Sequence, residues 1–145
     1  MASCLMSQIT RITLVRHGET EWNLSGRWQG HLDAPLTPHG EAQAKALGER
    51  FKGGTFDVCY TSDLGRAVHT SELIGGPSSL HFETNERLRE RDLGIIQGLT
   101  TAEMLDRFPE VYHSFHNDGP NYLVPDGESF QQFQERCVNV VEDLS

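Results

Sequence analysis

The stretch Ile9-Thr10-Arg11-Ile12-Thr13-Leu14-Val15, running straight into Arg16-His17-Gly18-Glu19, decides how the chain is read. A short apolar run rich in β-branched residues is the pattern of a buried strand. Working outward, strands and helices alternate. Thr37-Pro38 starts a helix, with a hydroxyl N-cap and proline at the first helical position. Ala44, Leu47 and Phe51 recur at helical spacing until Gly53-Gly54. Phe56 to Thr61 predicts a second strand. Ser62 and Asp63 open a second helix, with Leu64, Ala67, Val68 and Ser71 on one side and Gly75-Gly76 as its stop. Leu80 to Thr84 is a weaker third strand, and the arginine-rich Asn85 to Asp92 reads as a loop.

Thr100-x-x-Glu103 is a capping box that opens a short helix ended by Phe108-Pro109. Pro125-Asp126-Gly127 is a turn. Ser129-x-x-Gln132 is a second capping box, followed by a helical stripe of Phe130, Phe133, Cys137, Val140, Val141 and Leu144. The alternation predicts an α/β domain, a three-layer sandwich with a mainly parallel sheet flanked by helices. Roughly three strands are visible, and a parallel sheet needs several strands with both faces covered. The last stripe reaches Ser145 with no cap and no strand after it. The expectation is therefore one domain over residues 1–145, incomplete at its C-terminus.

Composition narrows the function. One domain is the default for 145 residues. The apolar set is 37%, and 14 glycines bring it near the ~45–50% of globular chains. A net charge of −9 rules out a generally basic nucleic-acid or membrane binder. No apolar run approaches the ~20 residues of a membrane span, and Met1 to Thr10 is too short and polar for a secretory signal. Cys4, Cys59 and Cys137 are odd in number, widely spaced and outside C-x-x-C pairs. That argues against a disulfide framework or a zinc site and for a reducing, cytoplasmic compartment.

In open α/β sheets ligands bind beyond the carboxyl ends of the strands. Arg16 and His17 follow the first predicted strand, Arg66 lies in the first turn of the helix after the second, and Glu90 follows the third. Two guanidiniums, an imidazole and a carboxyl group thus converge on one edge, and the chemistry they suggest is phosphoryl transfer. Arginine supplies bidentate donors that stay charged. Nearby positive charge disfavours the imidazolium, leaving a neutral nitrogen free to attack phosphorus. A carboxyl group then protonates the leaving oxygen and later takes a proton from water, and Glu90 is the candidate. Any affinity for a phosphate ester must come from this local cluster, because the chain as a whole is acidic.

Structural readings compete at each position. An Arg–His pair after a strand is more often structural than catalytic. Arg66 at a helix start wants an anionic partner, and Asp63 would suffice. Glu90, between Arg89 and Arg91, fits a solvated charge run equally well. His113 and His116 share a helix face but lack a third metal ligand. Cys59 reads as a buried strand residue.

Taken together the motifs resemble the histidine phosphatase superfamily, also called phosphoglycerate mutase-like. The matching segments are Leu14-Val15-Arg16-His17-Gly18-Glu19-Thr20 with Trp22-Asn23, Gly26-Arg27-Trp28-Gln29-Gly30, and Asp33-Ala34-Pro35-Leu36-Thr37 with Gly40. They continue through Thr61-Ser62-Asp63-Leu64-Gly65-Arg66-Ala67, Leu88-Arg89-Glu90-Arg91-Asp92-Leu93-Gly94, Gln97-Gly98 and Pro125-Asp126-Gly127-Glu128-Ser129. The resemblance implies that His17 is phosphorylated during turnover and that Arg16 and Arg66 clamp the phosphoryl group. It also implies that Glu90 donates and accepts the proton and that Asn23 is a further phosphate contact. No metal or organic cofactor is implied for the phosphatase branch, whereas the mutases need a phosphorylated primer.

One departure stands out. The family's second pocket histidine, in a His-Gly motif ending a later strand, has no counterpart, since His113 and His116 precede Ser and Asn. Losing one preorganised donor costs on the order of 10²–10³ in rate, so the expectation is a poorly folding chain of low turnover. Between Glu110 and Ser129 there is no arginine or lysine to bind a glycerate carboxylate, although Arg89 and Arg91 could serve as a clamp. The reading is a phosphatase for a small phosphorylated metabolite. Its alternatives are a cofactor-dependent phosphoglycerate mutase and a non-catalytic phosphate-binding module. Trp22, Trp28, Phe115 and Tyr122 fit either a specificity pocket or the core.

Overall fold

The computed structural model describes residues 10–144, so Cys4, the first residue of the Ile9–Val15 run, and Ser145 lie outside the described residues. In chain order the elements are α1 (Glu21–Leu24), α2 (Pro38–Phe51), β1 (Tyr60–Thr61), α3 (Gly65–Ser78), β2 (Glu83–Thr84), α4 (Thr101–Arg107), α5 (Pro109–Asn117) and α6 (Phe130–Leu144). Short 3₁₀ turns occupy Glu86–Leu88 and Gly94–Ile96. β1 and β2 pair in parallel across the α3 crossover, with Tyr60 opposite Glu83 and Thr61 opposite Thr84. The α/β class and the parallel pairing are as the sequence predicts.

The sheet is smaller than expected. Residues 10–15 carry no regular secondary structure. Ile12 is 52%, Leu14 85% and Val15 42% exposed. The run read as a buried strand is therefore neither buried nor a strand. An extended segment becomes a strand only through a ladder with a neighbour, and no described strand pairs with it. β1 and β2 are two residues each, shorter than the runs Phe56 to Thr61 and Leu80 to Thr84 that predict them. Cys59 lies just before β1 and is half-buried, not a buried strand residue.

Three helix starts follow their caps, whereas α3 begins at Gly65 after Leu64, which offers no side-chain bond, and not at Ser62-Asp63. Thr37 accepts from the Gly40 N–H ahead of Pro38 at the start of α2. Thr100 and Glu103 close the capping box of α4, and Ser129 and Gln132 exchange both bonds ahead of α6. Two ends differ. α3 continues through Gly75-Gly76 to Ser78, because α2 packs against its last turn. A Cβ on Gly48 would sit 2.7 Å from the Ile74 carbonyl oxygen and 3.2 Å from Pro77 Cδ. Tertiary packing here outweighs the poor helix propensity of glycine. The sequence reading gives α5 no start or end, only a helix face shared by His113 and His116. Pro109 ends α4, yet as the first residue of a new helix it needs no N–H partner.

A core cluster of Leu93, Ile96, Leu99, Met104 and Val124 forms in the C-terminal half, with Trp28, Phe115 and Tyr122 packed on it. The Trp28 and Phe115 rings meet edge to face, 5.6 Å between centroids. The core reading thus holds for these three aromatics. α6 contributes little, since of its apolar stripe only Val140 is buried.

Candidate active site

The turn that carries His17 is held by backbone packing. A Cβ on Gly18 would lie 2.5 Å from the Gly40 oxygen, and one on Gly40 would lie 2.1 Å from the Glu19 oxygen. Only glycine at both positions lets this turn rest on the first turn of α2. The Gly18 N–H donates to Thr70 Oγ1 of α3 at 3.0 Å. Thr37 adds two bonds to Glu19, from its N–H to the carbonyl at 2.9 Å and from its hydroxyl to the carboxylate at 2.8 Å.

The ring of His17 is half-buried, and its Nδ1 lies 2.8 Å from the Gly18 carbonyl oxygen. A carbonyl oxygen only accepts, so Nδ1 carries the proton and a neutral ring presents its lone pair at Nε2. Burial lowers the His17 pKa from 6.5. The Gly18 hydrogen bond opposes this, the Arg66 and Arg16 charges add to the lowering, and the Glu90 charge opposes it. Arg66, Arg16 and Glu90 thus each act on the charge of the His17 ring.

Arg66 is almost wholly enclosed, its side chain 2% exposed. Its guanidinium donates to Leu32 O at 2.8 Å, Gly30 O at 2.8 Å and Asp33 Oδ1 at 2.9 Å. The Asp33 carboxylate also accepts from the Gly65 and Arg66 N–H groups. It thereby caps α3, whose own N-cap, Leu64, has no side-chain bond to offer. The anionic partner of Arg66 is thus Asp33, not Asp63. Asp63 instead holds Arg89 through Nε at 2.8 Å and through a second bond to NH2. That bond holds the Asp63 carboxyl below the usual carboxylate range. Arg89 is consequently engaged within the chain.

Glu90 is exposed, with Oε1 accepting from the Arg91 N–H at 2.8 Å. Arg91 donates from Nε to Glu128 O at 3.0 Å and stacks over Phe115. Asn23 completes the capping box of α1, its Oδ1 accepting from the Thr20 N–H at 3.0 Å. The side-chain oxygen is therefore spent on the helix start, and the amide nitrogen is the end left for a ligand. Arg16 is exposed.

Sequence reasoning missed Asp33, Thr70 and Arg136. The guanidinium of Arg136, in α6, donates to the carbonyls of Arg87, Arg89 and Glu90 and to the Glu128 carboxylate. Its signal was available: Arg136 lies three residues after Phe133 and four before Val140, a charged residue embedded in an apolar stripe. A cleft of about 270 Å³ borders Arg66, lined also by Asp33, Pro35, Leu36 and His69. Another of about 280 Å³, between Asn121 and Glu135, shares no residue with the His17 group. His116 turns its Nδ1 to the Tyr112 carbonyl, and no group of three or more metal-ligating side chains occurs among the described residues.

Residues 12–145 match the family described as the histidine phosphatase superfamily (branch 1). The chain belongs to the histidine phosphatase superfamily. Among relatives, it is 38% identical over 136 residues to phosphoglycerate mutase-like protein 4 of Arabidopsis thaliana, covering 92% of this chain and 59% of that one. It is 37% identical over 145 residues to the metal-independent phosphoserine phosphatase of Arabidopsis thaliana, covering 96% and 60%. The crystal structure of the alpha-ribazole phosphatase from Shigella flexneri superposes with a TM-score of 0.81 at 31% identity, covering 90% of this chain and 64% of that one. This histidine phosphatase chain thus spans about three-fifths of the length of the curated relatives it matches.

Proposed function

We propose that the chain supplies the phosphohistidine chemistry of a phosphomonoesterase for a small phosphorylated metabolite. The observation that carries this reading is the state of His17: a neutral ring, its proton fixed on Nδ1, its lone pair at Nε2 and two arginines beside it. Nε2 attacks phosphorus and forms a P–N bond while the P–O bond to the leaving group breaks. Glu90 gives the leaving oxygen its proton. Water then attacks phosphorus and returns a proton to Glu90, and the P–N bond breaks to release phosphate. Arg16 and Arg66 bind the phosphoryl oxygens, Arg66 from a guanidinium oriented by Asp33, Gly30 and Leu32. The Asn23 amide is a further contact. Support also comes from relatives named as phosphatases.

Arg89 and Arg91, like Arg66, are already engaged by the protein, Arg89 by Asp63 and Arg91 by the Glu128 carbonyl. Their engagement favours hydrolysis over a mutase reaction on a glycerate phosphate, which needs cations for the carboxylate. Unpaired Cys59 and Cys137 fit a reducing, cytoplasmic setting. The test is to mix the chain with a ³²P-labelled phosphomonoester, quench in base and map the label. Acid-labile label on His17, absent from His17→Ala, is the expected result. Binding of the ester with no adduct at any time would leave only the non-catalytic module.

A further inference from the structure

We propose that Arg136 is a positioning residue that holds the Glu90 segment against His17. The inference rests on the reading above, in which Glu90 is the proton carrier. Residues 85–92 hold one 3₁₀ turn, Glu86–Leu88, and otherwise no regular structure, and such a segment does not by itself hold the exposed Glu90 carboxyl group in register. Arg136 supplies what the loop lacks. NH1 donates to the carbonyls of Arg87 at 2.9 Å and Arg89 at 2.8 Å. NH2 donates to the carbonyl of Glu90 at 3.2 Å and to Glu128 Oε1 at 2.5 Å.

Three carbonyls within four residues thus converge on one planar fork. A guanidinium fits this task because its N–H bonds diverge in fixed directions, whereas an ammonium gives a point charge. The fork is itself held in place. Its side chain is 22% exposed, it stacks over Phe133 at 5.3 Å, and its partner Glu128 is 17% exposed. Glu128 also accepts from the Asp92 N–H at 2.9 Å, tying down the far end of the loop. From the opposite side His31 Nε2 lies 2.9 Å from the Glu90 carbonyl. As the carbonyl can only accept, His31 is the donor. The Glu90 peptide is therefore gripped from α6 and from the His31 loop at once.

The experiment reads the distance between Glu90 and His17 through the titration of the His17 ring, followed by ¹H–¹⁵N spectra of the labelled chain, so it requires no turnover. Glu90→Gln should lower the His17 midpoint by a few tenths of a pH unit, because it removes a nearby negative charge. Arg136→Ala should also lower it, because the released loop carries Glu90 away. The sign is diagnostic, since deletion of a cation acting only through its charge raises the midpoint. In the Glu90→Gln background, Arg136→Ala should no longer lower it. Arg136→Lys, which keeps the ion pair with Glu128 but not the fork, covers the case in which the alanine variant does not fold, and should lower the midpoint too. If Glu90→Gln lowers the midpoint while Arg136→Ala or Arg136→Lys leaves it unchanged or raises it, the Arg136 proposal fails alone. If Glu90→Gln has no effect, the placement of Glu90 fails and the proposal goes with it.

Discussion

At the scale of single residues the site is a balance of charge and solvent around one imidazole. Burial and two guanidiniums oppose protonation of His17, while the Gly18 carbonyl and Glu90 favour it. The lowering forces win, and the sign has two consequences. The His17 ring stays neutral at pH 7, and only below 6.5 does it become protonated. Because the folded chain takes up this proton less readily than the unfolded one, the contribution to stability is full above 6.5. It is lost as pH falls through the window below 6.5. The expected wild-type ring titration midpoint is under 6.5, and Arg16→Gln, which deletes one lowering charge, should raise it. The rise is small, because Arg16 is exposed and solvent screens it. A wild-type midpoint at or above 6.5 contradicts this account. Residue types suggested a chemistry for the site, but not the supports of its side chains. Nothing in the spacing says that Asp33, 33 positions before Arg66, is the carboxylate that orients it, because that contact depends on how the Asp33 loop meets the start of α3.

Elements place these residues through backbone contact, and glycine marks where. Gly40, in the first turn of α2, lies against Glu19, so Gly40→Ala forces the His17 turn away from the helix. Overpacking of this kind costs about 1–3 kcal/mol. A methyl group on Gly76 in α3 would meet nothing within 4 Å. Gly76→Ala should stabilise by about 0.5–1 kcal/mol, through the entropy of the unfolded chain. Urea midpoints should therefore move in opposite directions for the same chemical change, and an equal shift for the two would refute the packing argument. Caps were the most legible elements. Thr37-Pro38, Thr100-x-x-Glu103 and Ser129-x-x-Gln132 each start a helix as expected, because a cap is a local bond between side chain and backbone. Helix ends and strands were less legible. The end of α3 depends on α2, and a strand depends on a neighbour that its own residues cannot specify.

Over the whole molecule the apolar surface is unevenly distributed. Leu93, Ile96, Leu99, Met104 and Val124 are enclosed. At the other extreme Leu14 is 85% and Val58 60% exposed, with Ile12, Phe130 and Val138 about half exposed. Scattered apolar residues on a surface are ordinary, but Ile12, Leu14 and Val15 are exposed within four consecutive residues. The pattern of Ile12 to Val15 led the sequence to predict burial, and the structure overturns that expectation. Such a surface should bind a hydrophobic dye and associate. The folded chain at pH 7 should enhance 1-anilinonaphthalene-8-sulfonate fluorescence, and its light scattering should rise with concentration. Leu14→Asp should reduce both while leaving the unfolding free energy, from urea titration, within about 0.5 kcal/mol of wild type, because so exposed a side chain contributes little burial. A dye-silent, monodisperse chain would show that the exposed run is covered in solution. A large loss of stability in Leu14→Asp would show that Leu14 is buried in the folded chain.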